Sequence, residues 1–170
     1  MTIDREYSLA GEVAFVTGSG RGLGHAIALR LAELGAAVAI HDRTEDAPAE
    51  YGEFTSVHDA TAAVAVHGGP TATVIGDIAD EERVRAMARE VEDALGPVTI
   101  LVNAAGGDIA ARGGKPNPNT ALGISLEDMR ALIDRNLLGT MLICQAVVPG
   151  MVARRSGSVV NIASSAAHLG

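Results

Sequence analysis

Directly after the run Val13-Ala14-Phe15-Val16-Thr17 stands Gly18-Ser19-Gly20-Arg21-Gly22-Leu23-Gly24, and a helical pattern follows. Such a turn can hold a pyrophosphate, because missing Cβ atoms let the backbone approach and the amides of a helix N-terminus face the anion. The spacing is not the dinucleotide fingerprint G-x-G-x-x-G, whose third glycine would fall at Leu23 or His25. It is not a P-loop either, since no Lys-Ser or Lys-Thr follows. It reads Thr-Gly-x-x-x-Gly-x-Gly, and the plainer alternative is a tight strand-to-helix turn without a ligand. Other chemistries lack residues. No pair of histidines has zinc-helix spacing and no acidic loop has the calcium pattern, so no metal site is expected. Cys144 is the single cysteine, which leaves no internal disulfide and suits a reducing, cytoplasmic setting. Asn136 falls on an apolar stripe between Ile133 and Leu137, so its amide is expected to point inward and to have partners.

Alternating strand and helix patterns must position these groups, and they predict repeated βαβ units: an α/β fold with a doubly wound parallel sheet. The strand candidates are residues 13–17, 37–40, 73–75, 98–102 and 159–162. Most are continuously apolar, as in strands covered on both faces. Leu23, Ile27, Leu31 and Leu34 mark a first helix, stopped by Gly35. Val57, Ala60 and Val64 mark a second, and Val84, Met87, Val91 and Leu95 a third. Ser125 with Asp128 caps the start of a fourth, which carries Met129, Leu132, Ile133, Leu137 and Met141 along one stripe. Residues 137–153 are the most apolar stretch, but Gln145 and Pro149 interrupt it and a buried helix explains it better than a membrane span. The polar connection from Arg43 to Phe54 needs no special role. The segment from Gly106 to Gly123 is longer than a normal βα connection, so it either touches a ligand or is disordered.

The glycine turn and five further segments, in one order along the chain, resemble the short-chain dehydrogenase/reductase family. Asp42 ends the second strand, Asp77-Ile78 follows the third, and Asn103-Ala104-Ala105-Gly106 follows the fourth. Asn136 lies in Arg135-Asn136-Leu137-Leu138-Gly139, and Asn161-Ile162-Ala163-Ser164-Ser165 ends the fifth. Ala104 departs from the family's Asn-Asn-Ala-Gly. The resemblance implies a Rossmann-type dinucleotide-binding domain over residues 1–170, ending after the fifth strand and incomplete at its C-terminus. Its cofactor-binding positions would be Gly18, Ser19, Arg21, Gly22, Leu23, Gly24, Asp42, Arg43, Asp77, Ile78, Asn103, Ala104, Ala105 and Gly106. An acidic residue at Asp42 takes ribose hydroxyls and opposes a 2′-phosphate. NAD is therefore expected over NADP, although Arg21 and Arg43 pull the other way. The duller alternatives are a solvated charge at Asp42, a turn-starting Asp77 and a locally bonded Asn103.

The same resemblance makes Ser164 the catalytic serine, whose hydroxyl bonds the substrate oxygen where charge develops. It gives Asn136 a helix bend and a water of a proton relay, with simple kinking as the alternative. A turn serine is the bland reading of Ser164, and His168 either lines the pocket or is merely solvated. The family's general acid/base is a tyrosine with a lysine four residues later. Tyr7 is followed at that spacing by Gly11 and Tyr51 by Thr55, and Lys115, the only lysine, lies in the long loop. The expected activity is hydride transfer between a nicotinamide and a small-molecule alcohol or ketone, with this chain alone inactive. The alternatives are a non-catalytic nucleotide-binding module and a fragment that needs a second chain. A net charge of −8 argues against nucleic-acid or membrane partners. The family resemblance suggests a homo-oligomer, and the segment 106–123, with Arg112 and Lys115, is expected at the substrate entrance.

Overall fold

Alternation along the strands sorts the core into two layers. In a computed structural model, which describes residues 7–164, Val13 and Phe15 of β1 (Val13–Thr17) join one hydrophobic cluster, and Ala14 and Val16 join the other. The first layer is completed by α3 (Glu81–Leu95) and α5 (Gly139–Arg154), through Val84, Met87, Val91, Ile143, Val147 and Met151. The second is completed by α1 (Gly22–Glu33) and α2 (Val57–Ala65), through Ala28, Ala32, Val57 and Val64. Burial on both faces explains why the central strand β1 reads as an apolar run.

The remaining strands are β2 (Ala37–Asp42), β3 (Thr71–Ile75), β4 (Ile100–Asn103) and β5 (Ser158–Asn161), and the helix α4 (Leu126–Ile133) precedes α5. All four pairings are parallel, in the order β3-β2-β1-β4-β5. The chain winds one way from β1 through β2 to β3 and the other way through β4 to β5. The carboxyl ends of β1 and β4 therefore flank the crevice where open α/β sheets take ligands.

Caps set the helix starts. Ser56 accepts the Asp59 amide, Asp80 the Arg83 amide and Ser125 the Asp128 amide, each satisfying a donor that the first turn leaves unpaired. No such side-chain bond comes from Arg21 at the start of α1. Between α4 and α5 the helix widens into a π-turn at Asp134–Leu138.

Two expectations about this helical stretch need correction. Met129, Ile133, Leu137 and Met141 are 40–58% exposed, so the stripe faces outward rather than into the core. The run Leu126–Arg154 is long and apolar enough to cross a membrane by composition alone, yet α5 is only partly buried. Gly139, Ile143, Val147 and Met151 pack inward. Asn136 is exposed as well, although its amide is fully engaged, as described below. The long connection 106–123 is tied to α4 and the π-turn: Ala111 N–H donates to Asp128 Oδ1 at 2.9 Å and Arg135 Nη1 to the Ile109 carbonyl at 2.6 Å.

Candidate functional site

The glycine turn passes from β1 into α1 across the end of β2. Thr17 and Ser19 are buried beneath it. Ser19 Oγ donates to the Val16 carbonyl at 2.7 Å and accepts the His41 amide at 3.0 Å. Thr17 Oγ1 accepts both the Ala104 and Ala105 amides at 3.2 Å, which locks the turn after β4 against the end of β1. Those contacts use the backbone of residue 104, so alanine can stand there in place of the family's asparagine. Gly24 is a case of close approach. A Cβ there would lie 2.2 Å from the Gly18 carbonyl oxygen, and only glycine lets the first turn of α1 sit against its own lead-in.

One cleft gathers most of the residues singled out from the sequence. Gly18, Arg21, Gly22, Leu23, Gly24, Asp42, Arg43, Asp77, Ile78, Ala104, Ala105 and Gly106 all line it. Ser19 and Asn103 do not: both are buried behind the wall and act as supports. Asn103 Nδ2 donates to Asn161 Oδ1 at 2.8 Å, joining β4 to β5 at paired positions.

The far end of the cleft brings the Asp42 and Glu50 carboxylates together with the Arg21 and Arg43 cations. Burial raises the Asp42 carboxyl above its ordinary range, against the lowering effect of the Arg43 amide and of the Arg21 and Arg43 cations. Arg43 N–H donates to Asp42 Oδ1 at 2.8 Å. The connection after β2, expected to have no special role, forms this wall. Its 3-10 turn Ala47–Tyr51 brings Ala47, Glu50 and Tyr51 to the cleft. The Arg21 guanidinium lies 3.5 Å above the Tyr51 ring centroid, and Arg43 lies 4.0 Å from Glu50. Glu53 reaches farther and accepts the Gly22 amide at 2.8 Å, so a carboxylate of the chain itself sits at the N-terminus of α1. Asp77 Oδ1 accepts the Ala79 amide at 2.9 Å, holding its carboxylate at the cleft edge.

At the other end, Asn136 belongs to the π-turn. Its Oδ1 accepts the Gly107 amide at 2.8 Å, while Nδ2 donates to the carbonyls of Gly107 at 3.1 Å and Leu132 at 2.9 Å. The inward reading is thus wrong about burial and right about partners: a widened helical turn displays the amide to the adjacent loop. Ser164 is exposed just beyond β5. Of the long loop, Ile109 and Gly113 reach the cleft beside Arg135. Arg112 instead lies 3.4 Å from Glu127 at the surface, and Lys115 is exposed. Ser165 and His168 lie outside the described residues. No group of three metal-ligating side chains occurs among the described residues.

The residues missed from the sequence are His41, Ala47, Glu50, Tyr51, Gly76 and Arg135, whereas Ile109 and Gly113 belong to the segment 106–123 expected at the substrate entrance. Only His41 carried a signal, a polar residue inside the apolar run Ala37-Val38-Ala39-Ile40 continued to Asp42.

A parallel sheet in this order, with its cleft at the switch point behind a glycine-rich strand-to-helix turn, defines a Rossmann-type α/β protein. Comparison with known proteins makes the assignment specific. The family described as short chain dehydrogenase matches residues 12–170, and the chain belongs to that family. It is 35% identical to D-threitol dehydrogenase of Mycolicibacterium smegmatis, over 98% of this chain and 58% of the relative. It is 32% identical to a 3-oxoacyl-[acyl-carrier-protein] reductase of Synechocystis, over 96% of this chain and 60% of the relative. Among solved structures, NAD+-bound xylitol dehydrogenase superposes with a TM-score of 0.79 at 30% identity, covering 95% of this chain and 56% of that one. The chain thus spans about three fifths of the length of these curated relatives.

Proposed function

We propose that this chain is the nucleotide-binding part of an NAD-dependent oxidoreductase that moves a hydride between a nicotinamide ring and an alcohol or carbonyl carbon. The observation that carries the reading is the convergence of the glycine turn, Asp42, Asp77, Ile78 and residues 104–106 on one cleft at the sheet's switch point. The fit to a dinucleotide is chemical as well as topological. The amides opening α1 receive no capping side chain from Arg21, and that of Gly22 already donates to an anionic partner, the Glu53 carboxylate. Those amides would hold the pyrophosphate, Asp42 the adenosine ribose hydroxyls, and Asp77 and Ile78 the adenine edge.

The preference for NAD rests on charge. Asp42 and Glu50 line the same cleft and would oppose a 2′-phosphate bound beside them, and Arg43, which could pair with it, lies 4.0 Å from Glu50. The cofactor supplies the hydride. The chain's own residues orient and stabilise: the Ser164 hydroxyl bonds the substrate oxygen, and Asn136 fixes the π-turn to Gly107. The Asn136 side-chain amide is engaged on both sides and its main-chain carbonyl accepts Thr140 Oγ1 at 3.3 Å, so a relay water at this residue would need the carbonyl's second lone pair. Proton exchange with the substrate belongs to a Tyr-x-x-x-Lys pair, which these 170 residues do not contain. The reading extends to a cytoplasmic homo-oligomer. The outward apolar stripe Met129, Ile133, Leu137 and Met141 supports subunit contact.

Titration of the full-length protein with NADH and NADPH, followed by a panel of alcohols and ketones, tests the proposal. NADH binding with turnover of at least one substrate is expected. Binding without turnover would favour a non-catalytic nucleotide-binding module, and no binding of either cofactor would reject the reading.

A further inference from the structure

We propose that His41 is a positioning residue of the nucleotide cleft: as the neutral Nε2–H tautomer, its ring fastens the glycine-rich turn to the end of β3. The inference rests on the nucleotide reading above and goes beyond it, because His41, itself a nearly buried part of the cleft wall, fixes the spacing of the residues on either side of it.

The partners determine the tautomer. His41 Nδ1 lies 3.0 Å from the Gly18 amide nitrogen, which can only donate, so Nδ1 must be the bare acceptor. Nε2 lies 3.0 Å from the Gly76 carbonyl oxygen, which can only accept, so Nε2 must carry the hydrogen. The main chain of the same residue grips the turn twice more. Its amide donates to Ser19 Oγ at 3.0 Å, and its carbonyl accepts the Ser19 amide at 2.8 Å. One residue thereby holds Gly18 and Ser19 in front and Gly76 to the side, directly between the glycine turn and Asp77-Ile78. Asp42, the next residue, takes its place in the cleft from the same anchoring.

The surroundings favour a neutral ring. His41 is 2% exposed, and the Phe15 ring meets it edge-on with centroids 6.1 Å apart. The charged groups facing it are Arg83 from α3, which opposes protonation, and Asp77 from the turn after β3, which favours it. Burial is the largest influence; with Arg83 it outweighs the Gly76 carbonyl and Asp77, which favour the proton, and the pKa is lowered to about 4. A second proton on Nδ1 would set two donors face to face at Gly18, so the cleft keeps its shape only while that proton is absent.

Two amide substitutions separate the two ends of the ring. In His41→Asn the side-chain oxygen falls near the place of Nδ1 and can accept the Gly18 amide. In His41→Gln the amide nitrogen falls near Nε2 and serves Gly76, leaving the Gly18 amide unpaired. Isothermal titration of the full-length protein with NADH should find His41→Asn within about threefold of wild type and His41→Gln weakened about tenfold or more, the scale of one unpaired buried donor. His41→Leu should be at least as weak as His41→Gln. A purely structural histidine would lower thermal stability in all three while leaving NADH affinity alike among the folded variants.

Nitrogen chemical shifts of the wild-type imidazole give a measurement that needs no variant to fold: Nε2–H is expected at pH 7, and an Nδ1–H or doubly protonated ring overturns the inference. Equal NADH affinity in wild type and all variants that fold also overturns it, while leaving the nucleotide reading intact. Failure of the wild-type protein to bind NADH or NADPH rejects the nucleotide reading and this inference with it.

Discussion

Replacing Gly24 with alanine should damage the cleft through a single contact whose size can be worked out in advance. The added Cβ would stand 2.2 Å from the Gly18 carbonyl oxygen, 2.9 Å from its carbon and 3.1 Å from Ser19 Cα. Comfortable contact with carbon begins near 3.5 Å, so the turn and the helix must separate by about 1 Å. Both sides are backbone, and no side chain can rotate away. Overpacking of this kind costs about 1–3 kcal/mol. If the strain is relieved by displacing the turn, the same energy appears in binding as about a five- to 150-fold rise in the NADH Kd.

Gly22→Ala is the control for stability. A Cβ there meets nothing within 4 Å, and the cost is that of a side chain at φ +58°, about 1 kcal/mol. Urea unfolding should therefore rank Gly24→Ala below Gly22→Ala, and titration should show the lost NADH affinity of Gly24→Ala. Wild-type stability together with wild-type NADH affinity in Gly24→Ala would refute the reasoning, because the turn would then yield at no cost.

Asp42→Ala should lower the NADPH Kd about tenfold or more and raise that of NADH, since about 4 kcal/mol of repulsion is available between unit charges 4 Å apart at an effective dielectric near 20. Adding Glu50→Ala should carry the ratio further, and competitive titration with the two cofactors checks both. Acid sensitivity follows from His41, whose folded-state pKa of about 4 lies below its unfolded value of 6.5. The unfolded chain takes up the proton first, so stability is lost as pH falls from about 6.5 and the loss is complete below about 4. It amounts to about 3 kcal/mol, which denaturant titrations across that range should show in wild type and not in His41→Leu. Asp128→Ala removes both the partner of the Ser125 cap and the anchor of the Ala111 amide. Hydrogen exchange should then speed at residues 110–114 and in the first turn of α4, with the β1–β4 pairing unaffected.

The fold was legible wherever burial is two-sided. Apolar strands such as Val13–Val16 and Ile100–Val102, punctuated by capped helices, leave few alternatives to a parallel sheet. The glycine turn and Asp42 were legible for a related reason, since their chemistry lies in residue type at fixed spacing from a strand end.

What escaped depends on tertiary placement. Nothing in the polar string from Arg43 to Phe54 reveals that Ala47 and Pro48 are buried and swing Glu50 and Tyr51 over the cleft. Periodicity placed Asn136 on an apolar stripe, but an apolar stripe does not say which way it faces. Here the core is met by Ile143, Val147 and Met151 of α5, while the π-turn carries Asn136 toward Gly107. Ser19 and Asn103, placed at the site by position in a motif, are buried beside the cleft and do not line it.

Glu53, bonded to the Gly22 amide, behaves as a tethered placeholder in the anion seat of α1. Its chain connection keeps it near, at an effective concentration on the order of millimolar for a short link. Its exposed position keeps the contact weak. A phosphate group with more charge and several amides to meet can displace it at little cost. The contact keeps one donor of the helix paired and ties the connection after β2 to the glycine turn. If the cleft takes a nucleotide as proposed, its phosphate would exchange one anion for another there, and the electrostatic field around the turn would change less than on filling an empty seat.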